Sequence, residues 1–305
     1  MTLLTSPRWP TQLPRLSKEV IEEPPSEQAV MISHGLAIVS ALLLLLLVNI
    51  TLVSQVQHFN AQHRLYGQFR QHLAEGSVPI GQTDVNGNLV KPGTPMALLT
   101  IPELGLREIV VEGTSSADTM KGVGHRRDTP LPGQPGVSVL MGRSGAYGAP
   151  FAHLSDLKPG QEVTVQTGQG ISTYKVLGTR GPHTMLPALQ PDQGRLTLIT
   201  ASGARFLPSG VTRVDAELVS TAFPAPAAVL PPNGIRGAEQ ALHGDTAHAF
   251  ALSWLALLFL LLIVAAVWSW KQWSKPATWI AFVPLLAFVG LAVANDVCTF
   301  LPNLI

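Results

Sequence analysis

The residues that could do covalent chemistry in this chain are few, and most lie between positions 125 and 213. Two serines are candidate nucleophiles, Ser144 in MGRSGAYGAPF and Ser202 in ITASG. A serine hydroxyl attacks a carbonyl only with a histidine in hydrogen-bond reach and donors set for the oxyanion. His125, His153 and His183 are the histidines of the stretch, and Arg143, Arg205 and Arg213 are the cations of interest beside them. The plainer reading makes Ser202 a turn residue and the histidines surface or loop groups. Arg143 has two readings as well. Its planar fork suits a carboxylate or phosphate, but such a residue more often lies against solvent or beside an acid. The single cysteine, Cys298, stands far along the sequence and excludes an intrachain disulfide and any multi-cysteine metal site. No metal, cofactor or nucleic-acid partner is expected, since the formal net charge is +1 and no basic block stands out.

Short runs of Val, Ile, Leu and Thr, bounded by turn residues, must position these groups. ALLTIPEL, REIVVEG, VSVLMG, EVTVQTG, STYKVLG, RLTLITA and VTRVDAELV follow one another between Pro95 and Leu218. Strands at this spacing predict an all-β barrel or sandwich over 95–220. Upstream, apolar residues at helical spacing (Phe59, Tyr66, Phe69, Leu73) predict a helical stalk with a turn-rich lead-in over 54–94. Downstream, FPAPAAVLPP marks 221–247 as an extended linker.

At 305 residues with 13 % charged residues and a mean hydropathy of +0.28, the chain is too apolar for a wholly soluble protein. Three segments are long enough to span a bilayer, at 31–53, 248–270 and 276–296. Pro284 falls in the third, where neighbouring helices can cover the freed carbonyl. Residues 1–30, rich in Pro, Ser and Glu, predict a disordered tail and not the short basic start of a cleaved leader. Arg8, Arg15 and Lys18 precede the first span, although Arg64 and Arg70 follow it. Lys271 and Lys275 occupy the tight turn between the last two spans, among Trp268, Trp270, Trp273 and Trp279, and only Asp296 follows the third. Together these predict a multi-pass protein of the cell membrane, N-terminus cytoplasmic and β domain outside. Gly290 and Ala294 place small residues four apart, where a helix could pack.

The motifs of the β region, in their order, resemble bacterial sortases, most of all the actinobacterial class E group. LTIPELGLREIVVEGTS is similar to the opening strands of that fold, and GVGHRRDTPLPGQPG to its turn-rich segment before the catalytic-histidine strand. MGRSGAYGAPFAHLSDLKPGQEVTV resembles the region the family writes GHRTTYGAPF, and GRLTLITA the strand ending in TLTTC. The resemblance implies a sortase-like β-barrel carrying three transmembrane helices, one N-terminal and two C-terminal.

The chemistry it implies is attack of a cysteine thiolate on a Thr–Gly bond, with a histidine as acid/base and an arginine at the oxyanion. Carried over residue by residue, Arg143 stands at the histidine position and Ala201 at the cysteine. Val211 stands at the arginine when aligned on DAEL; counted from Ala201, the position is nearer Gly210. A methyl group forms no acyl intermediate, and a guanidinium with a pKa above about 12 is no base. The expectation is a pseudo-enzyme with no catalytic residues, acting as a binding or assembly subunit for an exported or membrane partner. Ser144, Ser202, Arg205 and Arg213 would be its groove contacts. The alternatives are an active transpeptidase or hydrolase with a rewired serine nucleophile, or a structural spacer.

Overall fold

The computed structural model describes residues 26–181, 184, 186–273 and 275–305. His183 and most of the tail predicted over 1–30 lie outside the described residues. The chain divides into two units, Met1–Ala41 and Leu42–Ile305. The described part of the first is almost entirely helix, and all packing below belongs to the second.

Helix α1 (Glu27–Val48) is followed by a π-helical turn (Asn49–Val53) and by α2 (Ser54–Glu75). Gly76, at φ 62°, ends α2 in the left-handed region, its amide bonding the carbonyls of His72 and Leu73. The β region begins with β1 (Pro95–Ile101), β2 (Leu106–Glu112), a single turn α3 (Ser116–Thr119), β3 (Val123–His125) and β4 (Gly136–Met141). It continues with β5 (Glu162–Thr167), β6 (Gly170–Thr179), β7 (Gly194–Ala204) and β8 (Leu207–Leu218). These eight strands close into a barrel in the order β1-β2-β3-β4-β7-β8-β6-β5. The β2–β3 and β4–β7 pairs are parallel and the others antiparallel. Closure gives every strand of the barrel a partner on each side over at least part of its length.

Alternation builds the interior. Leu99, Ile101, Val110, Leu140, Val163, Val165, Leu196, Leu198 and Val214 form one buried cluster with Phe151 and Tyr174. Tyr174 Oη accepts from the Gly133 amide at 2.5 Å, so its polar end is satisfied inside the barrel. Outside the barrel, Leu65 and Phe69 of α2 pack on Leu98, Ile109 and Val111. The helix predicted as a stalk therefore packs along the β1–β2 face. Gln62 fixes this docking: its Oε1 accepts from the Ile109 amide (2.7 Å) and its Nε2 donates to the Lys121 carbonyl (2.8 Å). His58 adds a 2.9 Å contact to Glu108.

Two further helices, α4 (Ala249–Gln272) and α5 (Lys275–Phe300), form a tight hairpin. Together with the N-terminal helix they give three helices long and apolar enough to cross a membrane. Gly290 lets α5 approach its neighbours closely: a Cβ there would stand 2.8 Å from Leu45 Cδ1. At the other end of the hairpin, the Asp245 amide donates to the Thr299 carbonyl (2.9 Å), and a Cβ at Gly244 would overlap the Phe300 carbonyl. The start of α4 and the end of α5 are thus locked side by side. Residues 301–305 then run back onto the barrel.

Candidate functional site

The outer faces of β4, β7 and β8 form one floor. Leu196 and Leu198 point inward, so the strand period places Thr197, Ile199 and Ala201 outward. Val139 and Met141 of β4 join Ile199, Ala201 and Val211 in an apolar cluster. β7 is therefore buried on both faces over most of its length. What covers the floor comes from the chain's own C-terminal part: Ala241, Leu242 and Leu304 complete the cluster.

Ala201 pairs directly with Val211 across the β7–β8 ladder, and Ser202 pairs with Gly210. Arg143 lies just beyond β4, two residues past Met141, which pairs with Ile199. The turn that aims it needs Gly142, because a Cβ there would stand 2.5 Å from the Phe151 ring. Farther along this loop, Tyr147 (φ 50°) and Ala149 (φ 44°) occupy the left-handed region, a strain of about 1–3 kcal/mol each.

Arg143 is 1 % exposed, which corrects the expectation that it lies against solvent or beside an acid. Its Nη1 donates to the Ile305 main-chain oxygen (2.5 Å), and its Nη2 to the Ser116 carbonyl (3.0 Å) and Oγ (2.8 Å). The guanidinium also stands 5.0 Å from the Tyr147 ring centroid. Burial pulls its pKa down to about 10; it remains a cation at neutral pH and a poor base.

Among the described residues no hydrogen bond joins Ser144 or Ser202 to a histidine. Ser144 Oγ donates to the Leu304 carbonyl at 3.2 Å. His125 is fully occupied elsewhere: Nδ1 meets Glu112 at 2.8 Å and Nε2 meets the Pro130 carbonyl at 3.1 Å. His153 is exposed and contacts Asp156. Ser144, Ala201, Ser202 and Arg205 do line one cavity of about 400 Å³ together with His153. Arg213 lies apart from them, in a second cavity of about 480 Å³ with Arg126, Arg180 and Ile235. Among the described residues no cluster of His, Cys, Asp and Glu could hold a metal ion.

Cys298, far along the sequence, lies near the end of α5 and packs against Ala146 and Tyr147 of the Arg143 loop. Asn49 Nδ2 approaches its sulfur at 3.4 Å. The thiol is buried, with 1 % exposure, and is not presented to the cavity beside Ala201.

Two polar centres carried no signal as sites in the sequence. Asp215 is buried, receives Arg180 Nε at 2.7 Å and is further bonded by Arg180 Nη2 and by Thr197 Oγ1 (2.7 Å). Glu112 and His125 form a buried pair because parallel pairing of β2 with β3 sets them in register. Burial works against protonation of His125, yet the Glu112 carboxylate, with Pro130 and Asp128, outweighs it and raises the pKa. Only the three-dimensional pairing brings these groups together.

A closed eight-stranded barrel with a covered floor on β4, β7 and β8, joined to apolar helices, defines the class of the molecule. Residues 99–206 match the sortase domain, so this part of the chain is a sortase-type domain. It is 32 % identical over 115 residues to Sortase D of Bacillus subtilis (strain 168). That match covers 36 % of this chain and 57 % of the relative's length. Among solved structures, the sortase D5 transpeptidase of Clostridium perfringens is similar at 19 % identity, with a TM-score of 0.43, over 53 % of this chain and 99 % of that one. Sortase E of Streptomyces avermitilis is similar at 30 % identity, with a TM-score of 0.36, over 50 % of this chain and 100 % of that one.

Proposed function

We propose that this chain is a catalytically inert sortase-type membrane protein that works as a binding or assembly subunit for an exported or membrane-embedded polypeptide. One observation carries the reading: Ala201 pairs with Val211 across β7 and β8, neither side chain offers a thiol or an oxyanion donor, and Arg143, two residues past β4, is a buried cation bonded to Ile305 and Ser116. The floor around Ala201 and Val211 is apolar and packed. Such a surface recognises a chain and does no acyl transfer on it.

The helices extend the reading. Lys271 and Lys275 sit at the turn of the hairpin, away from the Asp245–Thr299 end that lies by the barrel. A turn bearing lysines favours the cytoplasmic side, which puts the barrel outside the cell membrane and the N-terminus within. Exposed apolar side chains along α4 and α5, among them Trp254, Leu260, Ile280 and Phe288, offer area for lipid and for a partner's helices.

The test is purification of the whole chain from its native membranes in mild detergent, together with incubation with peptides containing a Thr–Gly bond. A stoichiometric partner and no peptide cleavage are expected. A monomer in several detergents, or cleavage that survives purification to homogeneity, would overturn the reading.

A further inference from the structure

The last five residues of the sequence, LPNLI, behave as a ligand of the barrel and not as a loose end. Asn303 and Leu304 have no exposed surface, and Ile305 is also buried. Asn303 spends its amide completely on neighbours: Nδ2 donates to the carbonyls of Thr114 (2.6 Å) and Gln240 (2.9 Å), and Oδ1 accepts from the Leu242 amide (2.9 Å). Its main chain is held as firmly, the amide donating to the His243 carbonyl (3.0 Å) and the carbonyl accepting from Thr119 Oγ1 (2.7 Å).

The next residue makes the apolar half of the contact. Leu304 lies against Val139, Met141 and Ile199 beside Ala201 and Val211, while its carbonyl accepts from the Ser144 amide (2.9 Å). Arg143 then takes the Ile305 oxygen. A buried guanidinium depends on oxygen acceptors for its bonds, and one of the three here comes from this segment. The segment thus supplies hydrogen bonds that the site needs, through groups that a peptide carrying Asn before an aliphatic residue would bring.

We propose that the Arg143–Ser144 end of the floor is a binding site for such a peptide, occupied in cis by residues 301–305. Another polypeptide of the same chemistry reaches the site only by exchanging with that segment. This deepens the partner reading and rests on it for the exchange, but the cis occupancy stands alone.

Two measurements test it, both on the chain in detergent. Hydrogen exchange on the unmodified chain is expected to show the Ser144 and Leu242 amides protected, since their acceptors are Leu304 O and Asn303 Oδ1. Exchange at exposed-loop rates would overturn the proposal. In the second, a labelled peptide TFLPNLI is titrated against the full chain and against one shortened to Phe300. Binding to the shortened chain is expected to be roughly tenfold tighter or more, and to fall by roughly tenfold when the peptide's Asn is replaced by Asp. Equal binding to both chains, or indifference to that replacement, would overturn it. Neither readout requires a native partner, so failed partner recovery and failure here are separate results.

Discussion

Ala201 and Val211 face each other, residue to residue, across the β7–β8 ladder. A cysteine in this pair would still lack a partner base in Arg143, two residues past β4, which is a buried cation engaged with Ile305 and Ser116. At a pKa of about 10 it accepts no proton from a thiol at neutral pH. Ala201→Cys is therefore expected to leave cleavage of Thr–Gly peptides at background, as read by mass spectrometry of the reaction. Turnover by this single variant would mean that a base acts from elsewhere in the loop.

The docking of α2 depends on Gln62 more than on any charged contact. Its Oε1 satisfies the Ile109 amide and its Nε2 the Lys121 carbonyl. Gln62→Ala leaves a part-buried N–H without its acceptor, which costs about 1–3 kcal/mol. Denaturation of the chain should show that loss, whereas Gln55→Ala, at the exposed start of the helix, should show little.

Stability should also fall as pH rises through the titration of His125. Its folded pKa is raised above the ordinary 6.5. A raised histidine binds its proton more tightly in the folded state, so its contribution is complete below 6.5 and is lost as pH passes the raised value. Glu112 and Asp128 are the acids that face it, and Arg127 approaches Glu112 at 4.0 Å. His125→Gln retains a donor for Glu112 and does not titrate. Its stability profile should be flatter across this window, and a parallel profile would assign the slope to another group.

The strands and apolar helices were legible because their signals are local. RLTLITA and VTRVDAELV carry period-two patterns that a barrel wall requires, and their pairing sets Ala201 opposite Val211 and Ser202 opposite Gly210. β3 was missed because Val123–His125 is three residues long, too short to display alternation. The site's cover was missed for a different reason. Leu304 and Asn303 reach Ser144 and Thr114 across more than 150 residues, with no periodicity to announce it. Arg143 suffered most from this, since a sequence lists no carbonyl oxygens and so offers a lone arginine nothing but solvent or an acid. The nearness of Cys298 to Tyr147 was hidden in the same way, since a helix hairpin erases sequence distance.

The Arg180–Asp215 pair gives the sharpest test of how the floor is held. Asp215 has no exposed surface, and Arg180 keeps 31 % of its side chain in contact with solvent. Asp215 accepts from both guanidinium nitrogens and from Thr197, tying β8 to β7 and to the residue that follows β6. Removing the arginine strands a buried carboxylate, which costs about 3 kcal/mol, less than for a wholly buried pair because water reaches the vacated side. Removing both charges discards the desolvation penalty with the attraction. Arg180→Leu alone should therefore destabilise the barrel more than Arg180→Leu with Asp215→Leu, a coupling that a double-mutant cycle in denaturant measures directly. Additive losses would mean that Thr197 and solvent already satisfy Asp215, and that the pair contributes little to the β7–β8 floor.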